Sequence, residues 1–281
     1  MAGAIDIWCN IFTPDGLKKY YANVQEMATI FVGKLAGNLT GASPANFLSV
    51  LDAAGVDKVL IPNGKHRSFV TQELHWNMSV EEIAAIVRAN PKRYIGMYGI
   101  NPYTRMDGVR ELELAVKEHG FKAAHVHAYG FGIPINDAMF YPFYAKCAEL
   151  RIPVEIQVGH AANLMPSAMG RPLLLDDIAL YFPELKIVAL HTGWPWVEEL
   201  ISLSVKHRNL FIGATGHAPK YWDASLLRYL NSRGQDKVMF GTDFPLLLHK
   251  DALQQVRTLD LRPGPQAKLL RDNAIRVFGL Q

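Results

Sequence analysis

The chain has 281 residues, of which 49% are hydrophobic and 20% charged, and its formal net charge is +3. This composition supplies a sizeable core and excludes a disordered chain, and the length is typical of one α/β barrel. The basic residues are scattered, and the tightest group is residues 65–67. We therefore expect no nucleic-acid partner, since such partners are usually bound by a clustered basic stripe.

The two cysteines, Cys9 and Cys147, form no CxxC pair. A disulfide scaffold is therefore not indicated, and a reducing compartment is expected. The first predicted strand begins within a few residues of the N-terminus, which leaves no room for a signal peptide. The most apolar early stretch, residues 20–37, contains Glu26 and Lys34, which argues against a membrane span. We expect a cytoplasmic protein with no membrane partner.

Predicted strands and helices alternate along the chain. The strands are predicted at residues 4–10, 57–63, 94–101, 121–129, 153–160, 186–193, 209–215 and 237–245. The helices between them are predicted at residues 79–90, 108–120, 136–150, 175–184, 195–207 and 223–234. The first of these helices opens with a capping box, in which Ser79 precedes Glu82 by three positions. This repeat predicts an α/β fold, a closed (β/α)8 TIM barrel, formed by a single domain over residues 1–281.

The alternative fold is an open, doubly wound sheet, which usually has a glycine-rich phosphate turn after its first strand, and no such turn follows Asn10. The one irregular stretch is residues 11–43. Apolar side chains recur there at helical spacing, at Val24, Met27, Ala28, Phe31, Val32 and Leu35. They predict an inserted helix after strand one, which covers the barrel mouth, forms a subunit contact or packs on its own domain.

Polar side chains gather at the ends of the predicted strands, where barrel enzymes place their chemistry. Trp8 and Asn10 lie two apart on the first strand, so they project from the same face. The later strand ends carry Asn63, Lys65, His66, Arg67, Asn101, His125, His127, Gln157, His160, His191 and Asp243. The histidines could instead fill the barrel, and Trp8 could be a core residue. Asp243 is the strongest functional candidate, because a carboxylate inside an apolar strand is costly to bury without a purpose.

Three segments carry a resemblance to a known family. They are HTGWPWVEEL at 191–200, GTDFP at 241–245 and NAIRVFGL at 273–280. They resemble the amidohydrolase-related TIM-barrel family, and within it the branch of aminocarboxymuconate-semialdehyde decarboxylase and the aromatic-acid decarboxylases. Residues 120–129, 141–150 and 152–160 are similar to the same branch. The resemblance covers most of residues 4–280, and it implies a homodimer by analogy.

The resemblance also implies a metal site, built from a His-x-His pair on strand one, a histidine on strand five and an aspartate on strand eight. A strand-six histidine assists proton transfer in this family. Asp243 matches the aspartate and His191 matches the strand-six histidine. Trp8, Asn10 and Gln157 stand where the three metal-binding histidines would be.

Because three of the four metal ligands are replaced, we predict no metal cofactor. The alternative is a divalent transition metal at a relocated site, and its candidate ligands are His125, His127, His160, His191 and Asp243.

The function predicted from these residues is a metal-independent hydrolase of a small cyclic or aromatic carboxylate-type substrate, such as a lactone, an ester or an amide. Asp243 would activate water as general base, with His191 as its proton partner. Side chains predicted to bind substrate oxygens are Trp8, Asn10, His127, Gln157 and His160. Lys65 or Arg67 would bind a substrate carboxylate.

Two alternatives remain open at this point. The same proton pair could catalyse a lyase reaction, namely decarboxylation or hydration. The chain could also be a catalytically degenerate barrel that acts as the partner subunit of a metal-bearing paralogue, since several ligands are replaced together.

Overall fold

The computed structural model describes residues 3–21, 26 and 40–281. Their strands are β1 (Ala4–Asp6), β2 (Val56–Pro62), β3 (Lys65–Arg67), β4 (Leu74–Asn77), β5 (Tyr94–Gly99), β6 (Ala123–Val126), β7 (Val154–Gln157), β8 (Ile187–Leu190), β9 (Leu210–Ala214) and β10 (Val238–Phe240). Eight of them form one parallel sheet in the order β1-β2-β5-β6-β7-β8-β9-β10. This sheet is the predicted TIM barrel, and β3 pairs with β4 in a separate antiparallel hairpin.

The helices follow the barrel strands along the chain. They are α1 (Pro14–Tyr21), α2 (Pro44–Ala54), α3 (Val80–Ala89), α4 (Arg105–Lys117), α5 (Tyr141–Glu149), α6 (Leu175–Tyr181), α7 (Val197–Lys206), α8 (Ala224–Leu230), α9 (His249–Thr258), α10 (Pro263–Ala267) and α11 (Asn273–Phe278). The capping box predicted at the start of α3 is present, with Ser79 and Glu82 bonding reciprocally. Within the described ranges, no helix combines the length and the apolar character needed to cross a membrane.

The core has two apolar layers, because a parallel barrel sheet is covered on both faces. Along β8, Val188 and Leu190 belong to the inner layer, whereas Ile187 and Ala189 belong to the layer between strands and helices. The end of the chain, including Phe278, packs with the inner layer. Because side chains alternate strictly across each strand, a polar residue's position on the strand determines whether its side chain points into the barrel.

The structure differs from the sequence-based prediction at two places near the site. The β3–β4 hairpin occupies residues 65–77, for which no strand was predicted, and the first strand is shorter than predicted. After Asp6 the backbone N–H of Trp8 donates to the Asp6 carboxylate, so the regular ladder stops there. In the irregular stretch, α1 is observed, but the helical pattern from Val24 to Leu35 lies outside the described residues.

The barrel closes where β1 meets the segment after β10. Asp6 is fully buried, and its Oδ1 accepts hydrogen bonds from the backbone N–H groups of Trp8 at 3.0 Å and Thr242 at 2.9 Å. Its Oδ2 accepts the hydroxyl of Thr242 at 2.5 Å. In return, the N–H of Asp243 donates to the carbonyl of Trp8 at 2.9 Å. This Asp6 clamp therefore brings the two ends of the chain into contact.

Replacing Thr242 by Val tests the clamp. The variant keeps the side-chain shape but removes the donor to a buried carboxylate, so we expect the free energy of unfolding to fall by about 1–3 kcal/mol. Urea denaturation measures the loss. Thr258→Val is the matched control, since the Thr258 hydroxyl bonds a carbonyl at the exposed surface. Its effect should stay within about 0.5 kcal/mol. Equal losses in both variants would contradict the role given to the Asp6 clamp.

Candidate active site

A cavity lies at the carboxyl ends of the barrel strands. Its lining residues are Asn10, Tyr20, His66, His127, Gln157, His160, Ala162, Asn163, His191, Gly216, His217, Asp243 and Leu246. Six of the nine residues predicted for the site are among them, namely Asn10, His127, Gln157, His160, His191 and Asp243. The structure therefore brings most of the predicted site together on one face of the barrel.

The carboxylate of Asp243 is oriented by the segment that follows β1. Its Oδ1 accepts two hydrogen bonds of 2.7 Å, one from Nε1 of Trp8 and one from Nδ2 of Asn10. No group in the described part of the chain donates to Oδ2, so this oxygen is available to the cavity. Asp243 also has a φ of 60°, a left-handed conformation that is uncommon outside glycine and that clusters at functional sites.

Burial raises the pKa of Asp243 to about 7, since the charged form loses its hydration. The hydrogen bonds from Asn10 and Trp8 act in the opposite direction because they stabilise the carboxylate, and the nearby Asp6 adds a small upward contribution. The result is a carboxyl group that exchanges its proton near neutral pH, as a general acid or base requires.

His191 lies at the end of β8 with a φ of 62°. Its Nδ1 is 2.9 Å from Oγ1 of Thr215, which also accepts the backbone N–H of His191. Gly216 makes room for the ring, because a Cβ there would lie 2.6 Å from Nδ1, and its own φ is +70°. Burial, reinforced by neighbouring histidines, lowers the pKa of His191 to about 3. The imidazole is therefore neutral at physiological pH.

Trp8 does not line the cavity. It is completely buried, and its ring centroid lies 4.3 Å from that of His125 beneath the cavity. It donates a hydrogen bond to Asp243, and its indole lies outside the cavity in which the sequence analysis expected it to bind substrate. Gln157 ends β7 with 7% of its surface exposed, and His160 follows in the next loop with its ring against Trp194.

Lys65 and Arg67 lie outside the cavity lining, although both were predicted to bind a substrate carboxylate. Nζ of Lys65 donates to Asn77 and to the carbonyl of Met78, and the guanidinium of Arg67 bonds the carbonyl of Gln72. Both residues are on β3, where alternate side chains point to opposite faces. The residue between them is the one that faces the cavity.

That residue is His66, which was not among the predicted site residues. Its ring stacks on His127 with centroids 3.8 Å apart and an interplanar angle of 12°. Burial lowers the pKa of both histidines, to about 3 for His127. His217 also lines the cavity. The only sequence signal for His66 was its place after strand two, because its orientation depends on a hairpin that was not predicted.

The curated proteins that are similar in sequence include two decarboxylases and a hydratase. The 2-amino-3-carboxymuconate-6-semialdehyde decarboxylase of Dictyostelium discoideum is 22% identical over 71% of this chain and 65% of its own length. The 2-keto-4-carboxy-3-hexenedioate hydratase of Sphingobium sp. is 28% identical over 40% of this chain and 38% of its own. The gamma-resorcylate decarboxylase of Polaromonas sp. is 24% identical over 70% of this chain and 74% of its own length. The matched part of this chain thus spans less than two thirds of the length of the first two relatives.

Many solved structures share the fold, and two of them illustrate the likeness. An uncharacterised TIM-barrel protein from Bordetella bronchiseptica has a TM-score of 0.76 and 22% identity, with 99% of this chain and 98% of the other covered. A dihydroxybenzoic acid decarboxylase from Polaromonas sp. JS666, solved with bound manganese and the inhibitor 2-nitroresorcinol, has a TM-score of 0.74 and 17% identity. Its alignment covers 100% of this chain and 98% of that structure.

The prediction of no metal cofactor is wrong. A protein of the same fold holds manganese, and three potential metal ligands of this chain, Asp6, Cys9 and His249, place their donor atoms within 4.8 Å of one another. These residues are not the ones that the family resemblance pointed to. Around Asp243 the arrangement does not fit a metal centre, because Trp8 and Asn10 direct N–H donors at the carboxylate instead of offering lone pairs.

The sequence profile described as Amidohydrolase matches residues 6–280, which is nearly the whole chain. It includes both the segment after β1 that orients Asp243 and the strand ends that form the cavity. The chain therefore belongs to the amidohydrolase family.

Proposed function

We propose that the protein is a lyase that acts on a small aromatic or unsaturated carboxylate, with Asp243 as the general acid. The observation that carries this proposal is a carboxyl group of pKa about 7 with one oxygen free toward a cavity whose lining includes neutral His127 and His191 and the amide of Gln157. The curated relatives include two decarboxylases and a hydratase, which favours a lyase over the hydrolase predicted from the sequence.

Decarboxylation of an aromatic acid requires a proton at the carbon that bears the carboxylate. Protonated Asp243 would give its proton from Oδ2 to this carbon, so that a C–H bond forms. The bond to the carboxylate then breaks, its electron pair returns to the ring, and CO2 leaves. Asp243 regains a proton from water. A positioned acid whose pKa is close to the working pH contributes about 10²–10⁴-fold to such a step.

The neutral side chains around the cavity would hold the substrate. Nδ2 of Asn10 already donates to Asp243. The amide of Gln157 and the imidazoles of His127 and His191 line the same cavity. Each can donate a hydrogen bond to a carboxylate or hydroxyl oxygen without itself changing charge. Donors of this kind stabilise developing negative charge on a substrate oxygen when they are fixed in advance.

Product analysis tests the reaction class. We expect a dihydroxybenzoic acid or an unsaturated dicarboxylic acid to release CO2, and the product formed in D2O to carry one deuterium at the carbon that lost the carboxylate. Asp243→Asn should lower kcat about 10²–10⁴-fold. Asp15→Asn, on the exposed part of α1, is the control and should leave kcat unchanged. Addition of water without CO2 release would identify a hydratase, and cleavage of a lactone or ester alone would contradict the proposal.

The pH dependence tests the protonation state of Asp243. Because the acid must be protonated, kcat/KM should fall as the pH rises through about 7. Trp8→Phe removes a donor that stabilises the carboxylate, so the pKa should rise by about one unit and the falling limb should move to higher pH. Trp222→Phe removes a buried indole that donates to the carbonyl of His217, and it should leave the limb in place. If Trp8→Phe leaves the fall of kcat/KM at the same pH, Asp243 is excluded as the group whose titration causes it.

A further inference from the structure

A second cluster of chemically capable side chains lies outside the cavity. Asp6 ends β1, Cys9 follows three residues later, and His249 is the first residue of α9. Their donor atoms all lie within 4.8 Å of one another, and all three side chains are buried. None of them lines the cavity that contains Asp243. Cys9 belongs to the apolar layer between strands and helices, so the cluster lies on the outer side of the barrel.

His249 supplies an independent sign that this cluster has a ligand. Its side chain is buried, and Nε2 lies 2.9 Å from Oδ2 of Asp6. That contact lacks the alignment of a hydrogen bond, and neither ring nitrogen has a hydrogen-bond partner among the described residues. The rings of Phe47 and Phe244 pack around the imidazole. Buried polar atoms without partners are rare in proteins, and an absent water or ion is a common reason for them.

The lone pairs of the cluster are also available. Oδ1 of Asp6 accepts two backbone N–H groups, whereas Oδ2 accepts only the Thr242 hydroxyl and retains a lone pair. The thiol of Cys9 makes one long contact, 3.4 Å to the carbonyl of Asn10. Thr242 would then act as the outer partner that orients a ligating carboxylate, a common arrangement at metal sites.

We propose that Asp6, Cys9 and His249 bind one divalent ion of the zinc class. A nitrogen, a sulfur and an oxygen donor form a set that Zn²⁺ and Co²⁺ accept with tetrahedral geometry, with water as the fourth ligand. A thiolate is a poor match for manganese, which prefers oxygen ligands. On binding, Cys9 releases its thiol proton to solvent, and the thiolate bonds the ion.

The ion would connect β1 to the start of α9. Asp6 is also the acceptor in the Asp6 clamp, so the same carboxylate would join the ion to Thr242 and thus to the residue next to Asp243. A cleft lined by apolar side chains opens beside His249 and offers the ion a route from solvent; it includes Val50, Ala54, Phe244 and Leu248. The three ligands lie outside the cavity lining, so the proposed ion takes no part in the reaction at Asp243.

Cobalt substitution tests the proposal without relying on activity. The purified protein should contain one equivalent of zinc by elemental analysis. After chelation and addition of Co²⁺, the wild-type chain should show a thiolate-to-cobalt charge-transfer band and tetrahedral d–d bands. Cys9→Ala should lose the charge-transfer band, and His249→Gln should lose the tetrahedral spectrum. Cys147→Ala is the matched control, since this second buried cysteine is on α5, and it should keep both bands.

Circular dichroism separates loss of the site from loss of the fold. If a ligand variant fails to fold, the wild-type protein still provides a test, because Zn²⁺ should raise its Tm and a chelator should lower it. A charge-transfer band that persists in folded Cys9→Ala would overturn the proposal. A folded wild-type protein that contains no zinc, gives no cobalt band and has a Tm unaffected by Zn²⁺ would also overturn it.

Discussion

The buried carboxylate of Asp6 connects the beginning of the barrel to its end, and the candidate active site depends on this contact. By accepting the N–H and hydroxyl of Thr242 it holds the segment after β10 against the first strand. Trp8 and Asn10 are then close enough to bind Oδ1 of Asp243. An unpaired carboxylate at the position of Asp6 would be costly, so the clamp and the site form together.

The electrostatics of the cavity follow from burial. Imidazoles that would titrate near pH 6.5 in water become neutral when they lose hydration, whereas a carboxyl group in the same surroundings is shifted toward its protonated form. His191 and Asp243 illustrate the two directions, with pKa values of about 3 and about 7. The sequence-based hypothesis made His191 the proton partner of Asp243, and of these two groups Asp243 is the one whose pKa lies near neutral pH.

Much of the fold could be predicted because the alternation of apolar runs and amphipathic segments directly reflects the repeat of a barrel. The ends of the strands then indicated Asp243 and His191. His66 could not be predicted, since its direction depends on the register of the β3–β4 hairpin, and the same alternation directs Lys65 and Arg67 away from the cavity.

The metal prediction failed for a related reason. Sequence reasoning considered the positions implied by the family resemblance and the strand-end histidines of the barrel mouth. Asp6 and His249 are 243 positions apart, and only the packing of α9 against β1 brings them together. No local pattern of residues could have indicated that contact.

The hydrogen bond between Trp8 and Asp243 joins residues that are 235 positions apart. During synthesis on the ribosome, Trp8 emerges long before the residue that it has to orient. The carboxyl group can lose its hydration, and so acquire its shifted proton affinity, only after nearly the whole chain has been released from the exit tunnel. A translation product that ends before residue 243 would therefore lack the oriented acid.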